Sequence, residues 1–537
     1  MDIKMKYFQK LLILIAVAVS SLNMYAQFGE TQAIRKMKTT MHRISTEYVD
    51  KVDEDKLAED AVKALLEKLD PHSTYISADE VKEMNEPLEG NFDGIGVSFN
   101  MLTDTLYIVE TISGGPSEKV GIRAGDRIIN VNDTLIAGVK MSNRDIMKRL
   151  RGPKGTTVRV QVLRRGEPEL IDFKITRDKI PIYSLDASYM IDKKTGYIRL
   201  SRFGATTINE FKKALSGLQA QGMSNLILDL QYNGGGYLSA ATGIVNEFLG
   251  KDKLIVYTEG EHQRRYSDVS NAKGNFEKGK LVVLVNESSA SASEIVSGAV
   301  QDWDRGLIVG RRTFGKGLVQ RQFSLADGSM IRLTVARYYT PSGRSIQKPY
   351  ENGAKGDYEQ DLIERFNHGE MVSADSIHFP DSLKFKTLVK GRTVYGGGGI
   401  MPDEFVPLDT ARYTDYHMKL NSKGLINKIV LGILDNEREK LLAQYPTIEE
   451  YKAEYKVPKS AFETLKKYAE EEKIEFKEDQ YSQSKEDITI AIKALVARDI
   501  YNAAAYYRII NDHSDVFKRG LEIINNDKLY NQLLGGG

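Results

Sequence analysis

The chain has 537 residues, which is enough for two to four domains. Lys and Arg number 75 and Asp and Glu 74, a balance without the basic surface that nucleic-acid binding needs. It contains no cysteine, which excludes disulfides, thiol catalysis and cysteine-ligated metals.

The first 26 residues have the pattern of an export signal. Three lysines precede or flank the apolar run 11–19, and Ala26 offers a small residue before Gln27. A retained membrane anchor is the alternative, but the run is short for a bilayer span. We therefore expect cleavage near Ala26 and a mature protein in the periplasm or cell envelope.

Residues 27–85 read as an N-terminal helical segment. Apolar residues recur at helical spacing from Ile34 to Tyr48, and a second apolar stripe follows Asp53. The second helix must end at Asp70-Pro71, because a residue before proline is disfavoured in the helical conformation. Such stripes usually form core, and nothing in them demands a partner.

Residues 86–178 change to short alternating strands, as at 106–109 and 158–162, with one amphipathic helix from Ser142 to Leu150. Before the first strand lies the loop Gly94-Ile95-Gly96-Val97. Its glycines let consecutive backbone amides turn toward an anion, so the loop can hold a peptide's C-terminal carboxylate while the peptide adds as a strand. A tight turn is the alternative.

The order of motifs in this segment resembles a PDZ domain. The matching pieces are 94–97, 116–122 and 125–132. Arg151 follows the amphipathic helix, where Gly152 and Pro153 constrain the chain. We expect it either to be an exposed arginine or to point toward the next domain and report an occupied peptide groove to the site around Lys316 and Gln320.

Residues 179–412 read as an α/β domain, with a polar insertion at 351–395. The run 281–285 is continuously apolar and the run 226–230 is apolar except for Asp229, as in strands covered on both faces. Two motifs follow these runs, at the strand ends where open α/β sheets place their sites.

The first motif is Asn233-Gly234-Gly235-Gly236. Glycines after a buried strand free backbone N–H groups to face a ligand. Phosphate binding is disfavoured, because the lysine of a P-loop is missing. The alternatives are a flexible turn and an oxyanion donor, and the second requires Ser291 nearby.

The second motif centres on Ser291, before a helical apolar pattern. An ordinary helix cap is the alternative to a nucleophile, but Lys316 lies 25 positions on, on a strand-like segment between two glycines. A lysine can serve a serine as base without histidine. The Ala292 amide could then stabilise the developing oxyanion, and Gln320, on the same strand face as Lys316, could hold the amine.

Other catalytic constellations are weaker. Ser345 and Lys348 have the Ser-x-x-Lys spacing, but Pro341 and Pro349 predict a loop where a helix would be needed. The seven histidines are scattered. No spacing among them supports a Ser-His pair or a metal site.

The chain as a whole resembles the C-terminal processing peptidases, also called tail-specific proteases. The matching pieces, besides the PDZ-like segment, are 69–73, 196–200, 233–236, 289–294, 314–320 and 341–346. One departure is Gln231, where relatives often carry arginine, and this puts a local ion pair in doubt.

This resemblance implies Ser291 as nucleophile, Lys316 as general base and Gln320 as the residue that orients the lysine. The implied oxyanion hole combines the Ala292 amide with that of Gly235 or Gly236, and no cofactor or metal takes part. The implied fold is multidomain α/β: N-terminal helices, a PDZ-like β domain, an α/β protease core of the ClpP/crotonase type and a C-terminal helical domain.

Residues 413–537 read as helical. Ser484 starts a capping-box pattern ahead of an apolar face, which predicts a helix beginning there. The helical ends could serve a homodimer or an adaptor protein.

We therefore expect an exported serine endopeptidase that recognises the C-terminal tails of protein or peptide substrates and cleaves them. One alternative is an inactive PDZ-bearing scaffold or chaperone. Another is a carrier of apolar ligands, since related folds occur in retinoid-binding proteins.

Overall fold

The computed structural model describes residues 31–102 and 104–535. The predicted export signal, residues 1–26, lies outside these residues. None of the helices in the described ranges is long and apolar enough to cross a bilayer.

Three helices and one short strand lead into the first β domain. Their bounds are α1 Gln32–Glu47, α2 Glu54–Glu67, β1 Thr74–Ile76 and α3 Ala78–Glu89. The Asp53 side chain accepts from the Lys56 N–H, so α2 begins where the sequence predicts. No residue of α1 is buried, and its apolar residues Ile34 and Met37 are exposed. Its pairing with a second copy or an adaptor stays a prediction.

The next segment is an antiparallel β domain with two helices. Its elements are β2 Asn91–Gly94, β3 Val97–Leu102, β4 Thr105–Thr111, α4 Pro116–Lys119, β5 Arg127–Val131, β6 Thr134–Leu135, α5 Asn143–Leu150, β7 Thr157–Leu163, β8 Ile171–Thr176 and β9 Asp178–Pro181. Five strands pair in the order β3-β4-β5-β7-β8, with β3 at the edge. Ile146 and Leu150 of α5 are buried in the core of this sheet. Strands β2 and β9 pair where the chain enters and leaves the domain.

An α/β domain follows. Its elements up to residue 339 are β10 Leu185–Met190, β11 Thr195–Leu200, α6 Thr207–Ala220, β12 Asn225–Asp229, α7 Leu238–Phe248, β13 Leu254–Gly260, β14 Gln263–Val269, β15 Leu281–Val285, α8 Ala292–Asp302, β16 Leu307–Gly310, β17 Leu318–Ser324 and β18 Met330–Tyr339. The main sheet has the order β10-β11-β12-β15-β16, extended by β21 Glu404–Phe405. From β11 onward its strands are parallel, so β12 and β15 end at the same edge.

A second sheet lies beside the edge at which β12 and β15 end. Its order is β1-β18-β13-β14, and β17 pairs with β18 as a hairpin. The predicted polar insertion carries α9 Lys355–Asn367, the 3₁₀ turns Ala374–Ser376 and Asp381–Leu383, and the hairpin β19 Lys384–Lys386 with β20 Thr393–Tyr395.

The C-terminal region is helical, as predicted. Its helices are α10 Asp415–Ser422, α11 Leu425–Gln444, α12 Ile448–Glu454, α13 Lys459–Glu471, α14 Glu478–Ile500, α15 Ala503–Ile510, α16 Asp515–Asn525 and α17 Asp527–Leu533, with the 3₁₀ turn Asn511–His513. The predicted helix start at Ser484 is wrong, because α14 begins at Glu478. Acidic residues in that first turn favour the earlier start. The Ser484 hydroxyl is buried inside the helix and donates to the Arg412 carbonyl at 2.7 Å.

The last two helices belong to the α/β core by packing. Phe517 and Ile524 of α16 and Tyr530 of α17 are buried against the main sheet. Helices α6, α7 and α8 cover its opposite face. Because both faces are covered, every residue of β15 is buried, which explains its continuous apolar run.

The β domain rests on the C-terminal helices. Asp435 of α11 accepts a hydrogen bond from Arg127 of β5 at 2.6 Å, and the Tyr107 hydroxyl also donates to it. The guanidinium of Arg127 stacks on the Tyr107 ring, 4.6 Å from its centroid. This contact joins the peptide-binding candidate to the helical region.

Candidate active site

Ser291 lies at the N-terminus of α8, in the turn after β15. Its backbone has φ +55° and ψ −111°, outside the conformations that residues with a side chain prefer. Such strain costs about 1–3 kcal/mol and persists only where the surroundings impose it. The partial positive charge of the helix N-terminus lies beside the hydroxyl. An oxygen in this place is therefore stabilised as it gains negative charge.

Glu294, in the first turn of α8, joins Ser291 to the loop that carries Lys316. Its buried carboxylate accepts from the N–H groups of Ser291 at 2.8 Å, Lys316 at 2.9 Å and Gly315 at 2.7 Å. It also accepts from the Thr313 hydroxyl at 2.6 Å. Burial raises the pKa of Glu294 to about 7, and these hydrogen bonds oppose the rise. One carboxylate thus sets the separation of two chain segments.

The glycine turn after β12 lies directly against Ser291. A Cβ on Gly235, which has φ +98°, would lie 2.8 Å from the Ser291 Cβ and 2.9 Å from the Ala292 nitrogen, so only glycine fits. Gly235 donates its N–H to the Asn233 side chain at 2.9 Å. Within the described ranges, the N–H groups of Gly236 and Ala292 donate to no protein group. These two amides are free to bind an oxygen at Ser291.

Lys316 lies in the loop before β17. The prediction that it sits on a strand is wrong, because β17 begins at Leu318 and Gly315 takes φ +90°. The Lys316 nitrogen still donates to Gln320 Oε1 at 3.2 Å, and Gln320 Nε2 donates to the His72 carbonyl at 2.9 Å. The amide of Gln320 is therefore anchored at both ends and holds the lysine nitrogen in one direction.

The surroundings of Lys316 favour its neutral form. Burial lowers the pKa of its amine below 10.5, and the positive charge of Arg332 lowers it further. The carboxylates of Glu294 and Asp70 act in the opposite direction. Burial also lowers the pKa of His72 to about 4, with the charge of Lys316 contributing, so this neighbouring imidazole is neutral at pH 7. A neutral amine has a lone pair that can accept a proton.

Tyr338 of β18 contacts the backbones of both the Ser291 turn and the Lys316 loop. Its hydroxyl lies 3.2 Å from the Ser291 carbonyl and also contacts the Lys316 carbonyl. The side chain is buried, with 2% exposed. A rigid aromatic ring anchored in a strand thus holds both backbones in place.

One cavity of about 790 Å³ brings the predicted residues together. Ser291, Lys316, Gln320, Gly235 and Gly236 all line it. Leu88, Asp268, Gln322 and Arg332 also line it. Among the residues that the structure describes, no histidine lines this cavity. In the described part of the chain, no cluster of three or more His, Asp or Glu side chains could hold a metal ion.

The geometry adds residues that sequence reasoning assigned no role. Glu294 lies within the motif 289–294, and Asp70 and His72 lie within the motif 69–73, so the sequence carries a signal for all three. The sequence carries no such signal for Tyr338, because its contact is with Ser291, 47 positions earlier in the chain.

Gln231 carries no charge, but an arginine of the neighbouring strand forms an ion pair at the start of the glycine turn. Arg199 of the neighbouring strand β11 lies 2.7 Å from Asp229. It also donates to the Gln231 carbonyl at 3.0 Å. The glycine turn therefore keeps a charged anchor at its start although position 231 is uncharged.

The loop 94–97 connects β2 to the edge strand β3. Gly96 has φ +74°, and a Cβ there would lie 3.0 Å from Ile180, so the tight approach requires glycine. The N–H groups of Ile95 and Gly96 donate to no protein group in the described ranges, and Val97 begins β3. Free amides beside an open strand edge are the arrangement that a peptide carboxylate needs.

Arg151 ends α5 and points out of the β domain. Its guanidinium pairs with Glu86 of α3 at 2.6 Å and stacks on the Phe92 ring, 4.6 Å from its centroid. It does not line the cavity of Lys316 and Gln320. Two residues after Glu86, however, Leu88 does line that cavity, so α3 connects Arg151 to the site indirectly.

Four family models match the chain. Peptidase family S41 matches residues 194–360, and a PDZ domain matches residues 94–175. The N-terminal domain of the activating protease CtpB matches residues 14–80, and a family of unknown function matches residues 416–502.

Similar proteins carry consistent names. The carboxy-terminal-processing protease of Bartonella bacilliformis is 36% identical over 310 residues, 57% of this chain and 70% of that protein. CtpB of Bacillus subtilis, a carboxy-terminal processing protease, is 35% identical over 326 residues, 59% of this chain and 66% of its own length. The solved photosystem II D1 C-terminal processing protease is 30% identical, covers 59% of this chain and 84% of that one, and has a TM-score of 0.35.

Proposed function

Because this chain belongs to the carboxy-terminal processing proteases of peptidase family S41, we propose that it is an exported endopeptidase with a Ser291–Lys316 dyad. It binds the C-terminal tail of a polypeptide through its PDZ domain and cleaves that polypeptide in the cavity. The observation that carries the proposal is that Ser291, Lys316 and Gly236 line one cavity, with the free amide of Ala292 next to Ser291 in the chain.

In the proposed reaction, the neutral Lys316 amine accepts the hydroxyl proton as Ser291 Oγ attacks the scissile carbonyl carbon. The carbonyl oxygen gains the negative charge and accepts from the N–H groups of Ala292 and Gly236. The Lys316 ammonium then protonates the departing amine, which leaves an ester on Ser291. Water, deprotonated by the same amine, hydrolyses that ester and restores the hydroxyl.

Gly236 fits the oxyanion role better than Gly235. The Gly235 N–H already donates to Asn233 at 2.9 Å, and turning it away would leave a buried acceptor unpaired. Gly235 contributes differently, since its missing side chain lets the turn approach Ser291.

Gln320 supplies orientation in this proposal. A neutral amine has two N–H groups and one lone pair. Donation of one N–H to Gln320 restricts the directions in which the lone pair can point. Since Gln320 Nε2 donates to the His72 carbonyl, the Gln320 amide keeps its oxygen toward Lys316. The Lys316 amine is therefore always the donor in this hydrogen bond.

Tail recognition is tested with one peptide made as free acid and as C-terminal amide. The free Ile95 and Gly96 amides and the edge of β3 support binding of a carboxylate there. We expect amidation to weaken binding and kcat/KM together, each by about 10-fold or more, because a charge-assisted hydrogen-bonded contact is lost. Calorimetry and chromatographic assay of the fragments measure the two effects. Equal affinity for acid and amide would reduce the PDZ domain to a spacer.

The same peptide pair addresses Arg151, which we propose transmits tail binding through Glu86 and α3 to the cavity wall at Leu88. Occupancy of the groove shifts a two-state equilibrium toward an aligned dyad. Arg151→Ala should therefore lower turnover of the free-acid peptide with little change in its affinity. Arg144→Ala is the matched control, because Arg144 lies on the same helix and only approaches Glu83 at 3.9 Å. Normal turnover of Arg151→Ala would exclude this route.

Export is tested by N-terminal sequencing of the protein recovered from cell-envelope fractions. The charged start, the apolar run 11–19 and Ala26 support removal of the first 26 residues. We expect the mature chain to begin at Gln27. A chain recovered there with residue 1 still present would instead indicate a retained anchor.

A further inference from the structure

Arg332 presents an unpaired positive charge to the catalytic cavity. It lies on β18 directly opposite Gln322 of β17, and both side chains line the cavity. Its guanidinium contacts the Met84 sulfur of α3, and its Nε is buried without a hydrogen-bond partner. Burial lowers the pKa of Arg332, and no carboxylate opposes the effect.

Two buried arginines of the same domain do have carboxylate partners. Arg344 pairs with Asp302 at 2.7 Å, and Arg199 pairs with Asp229 at 2.7 Å. Asp268, the carboxylate on the cavity wall, forms no ion pair with Arg332 in the described structure. A half-buried charge without a charged partner is unfavourable, so its place at the cavity calls for an anion that arrives with a ligand.

A carboxylate is the anion that fits. The planar guanidinium offers parallel N–H donors that match the two oxygens of a carboxylate. A polypeptide in the cavity can supply that group from an aspartate or glutamate side chain, or from its own C-terminus. The tail carboxylate is already used by the PDZ domain in the proposed function, which leaves the side chains.

We propose that Arg332 is a specificity-determining residue that binds an acidic side chain of the substrate close to the scissile bond. The inference rests on the proposed function, since it names the substrate class for the same cavity. It assigns to the β17–β18 hairpin the selection of acidic segments, in addition to the recognition of the tail.

The test uses peptides that share one C-terminal tail and carry either Glu or Gln at single positions on both sides of the scissile bond. For the wild-type protein, we expect kcat/KM for the Glu peptide to exceed that for the Gln peptide by about 10-fold or more at one position. Arg332→Gln should bring this ratio close to one, and Arg332→Lys should keep part of it. The ratio is the readout because the charge of Arg332 also lowers the pKa of Lys316, which changes cleavage of both peptides alike.

Arg321→Gln is the matched control. Arg321 lies on the same hairpin, is exposed and does not line this cavity, so it removes one charge without touching the proposed contact. Its Glu-to-Gln ratio should equal that of the wild type. An amidated version of the Glu peptide separates the two carboxylate sources: an Arg332-dependent loss on amidation, with no effect of Glu to Gln, would overturn the side-chain assignment.

Binding separates this inference from the proposed function. Fluorescence anisotropy on Ser291→Ala, with and without Arg332→Gln, measures the same Glu-to-Gln preference without cleavage. If the wild type cleaves neither peptide but this preference depends on Arg332, the proposed function fails while the contact between Arg332 and an acidic side chain of the bound peptide is retained. If no preference depends on Arg332, the inference is wrong whatever the cleavage result.

Discussion

Replacing either Ser291 or Lys316 with alanine is expected to lower kcat/KM for a tail peptide by about 10⁴-fold or more. Ser291→Ala removes the oxygen that forms the ester in the proposed reaction, and Lys316→Ala removes the only lysine amine that lines the cavity among the described residues. Neither change should unfold the protein, because the backbone hydrogen bonds of both residues to Glu294 remain and Lys316→Ala loses only the side-chain bond to Gln320. Peptide cleavage followed by chromatography, with thermal unfolding as the folding control, measures both effects.

The two losses should not add. In the proposed reaction nucleophile and base act as a unit, so the double variant is expected to be about as slow as either single variant. A double variant slowed by the product of the two single effects would mean that the residues act independently. Near-normal cleavage by Ser291→Ala would favour the alternative of a scaffold whose observed cleavage comes from another enzyme.

The pH dependence distinguishes a lysine base from a histidine base. An amine accepts a proton only when neutral, and the pKa of Lys316 is lowered by burial and by Arg332, so kcat/KM should rise with pH through an ionisation below 10.5. Ionisation of Glu294 near 7 acts in the same direction, because the carboxylate accepts all four of its hydrogen bonds. His72 is already neutral above about 4. A rise that disappears when one histidine is replaced would assign the base to that histidine.

Glu294→Gln is expected to reduce kcat by about 10²-fold, although Glu294 does not line the catalytic cavity. A neutral amide has one acceptor oxygen and an NH₂ group, so it cannot accept from the three backbone N–H groups and the hydroxyl that the carboxylate binds. The NH₂ group of the variant side chain then faces at least one N–H or O–H donor whose hydrogen bond the carboxylate had accepted. The Ser291 turn and the Lys316 loop should separate, and the dyad should lose its alignment.

Glu247→Gln is the matched control for this prediction. Glu247 is equally buried, with 2% exposed, and pairs with Lys212 at 3.1 Å at the far end of α7. Both variants should lose stability by about 1–3 kcal/mol, because each leaves donors of a buried carboxylate unpaired. Only Glu294→Gln should lower kcat at a temperature where both are folded. Equal kcat for the two variants would restrict Glu294 to a role in stability.

The positions of the main site residues along the chain could be predicted from local patterns. Apolar runs, continuous in β15 and covering Leu226 to Leu228 in β12, mark both as buried parallel strands. Because neighbouring parallel strands end at the same sheet edge, the glycine turn and Ser291 had to meet there. Lys316 and Gln320 could then be assigned to the same site from their spacing after Ser291. The proposed roles of these side chains follow from their residue types.

Local patterns were less reliable at element ends. They placed Lys316 on a strand and a helix start at Ser484, and the structure corrects both. Flanking glycines keep Lys316 in a loop, and acidic residues upstream extend α14 at its N-terminus. Both errors arise because residues just outside the periodic pattern decide where an element begins or stops.

The amino-acid sequence by itself determined which chemical groups this protein brings to one edge of its sheet. Only the tertiary structure decided how they are held: the left-handed backbone of Ser291, the four bonds of Glu294, the bridge through Tyr338 and the unpaired charge of Arg332. Each of these depends on contacts between distant segments, such as Arg332 with Met84, 248 positions apart. Such contacts leave no periodicity in either segment, because they exist only after both have packed.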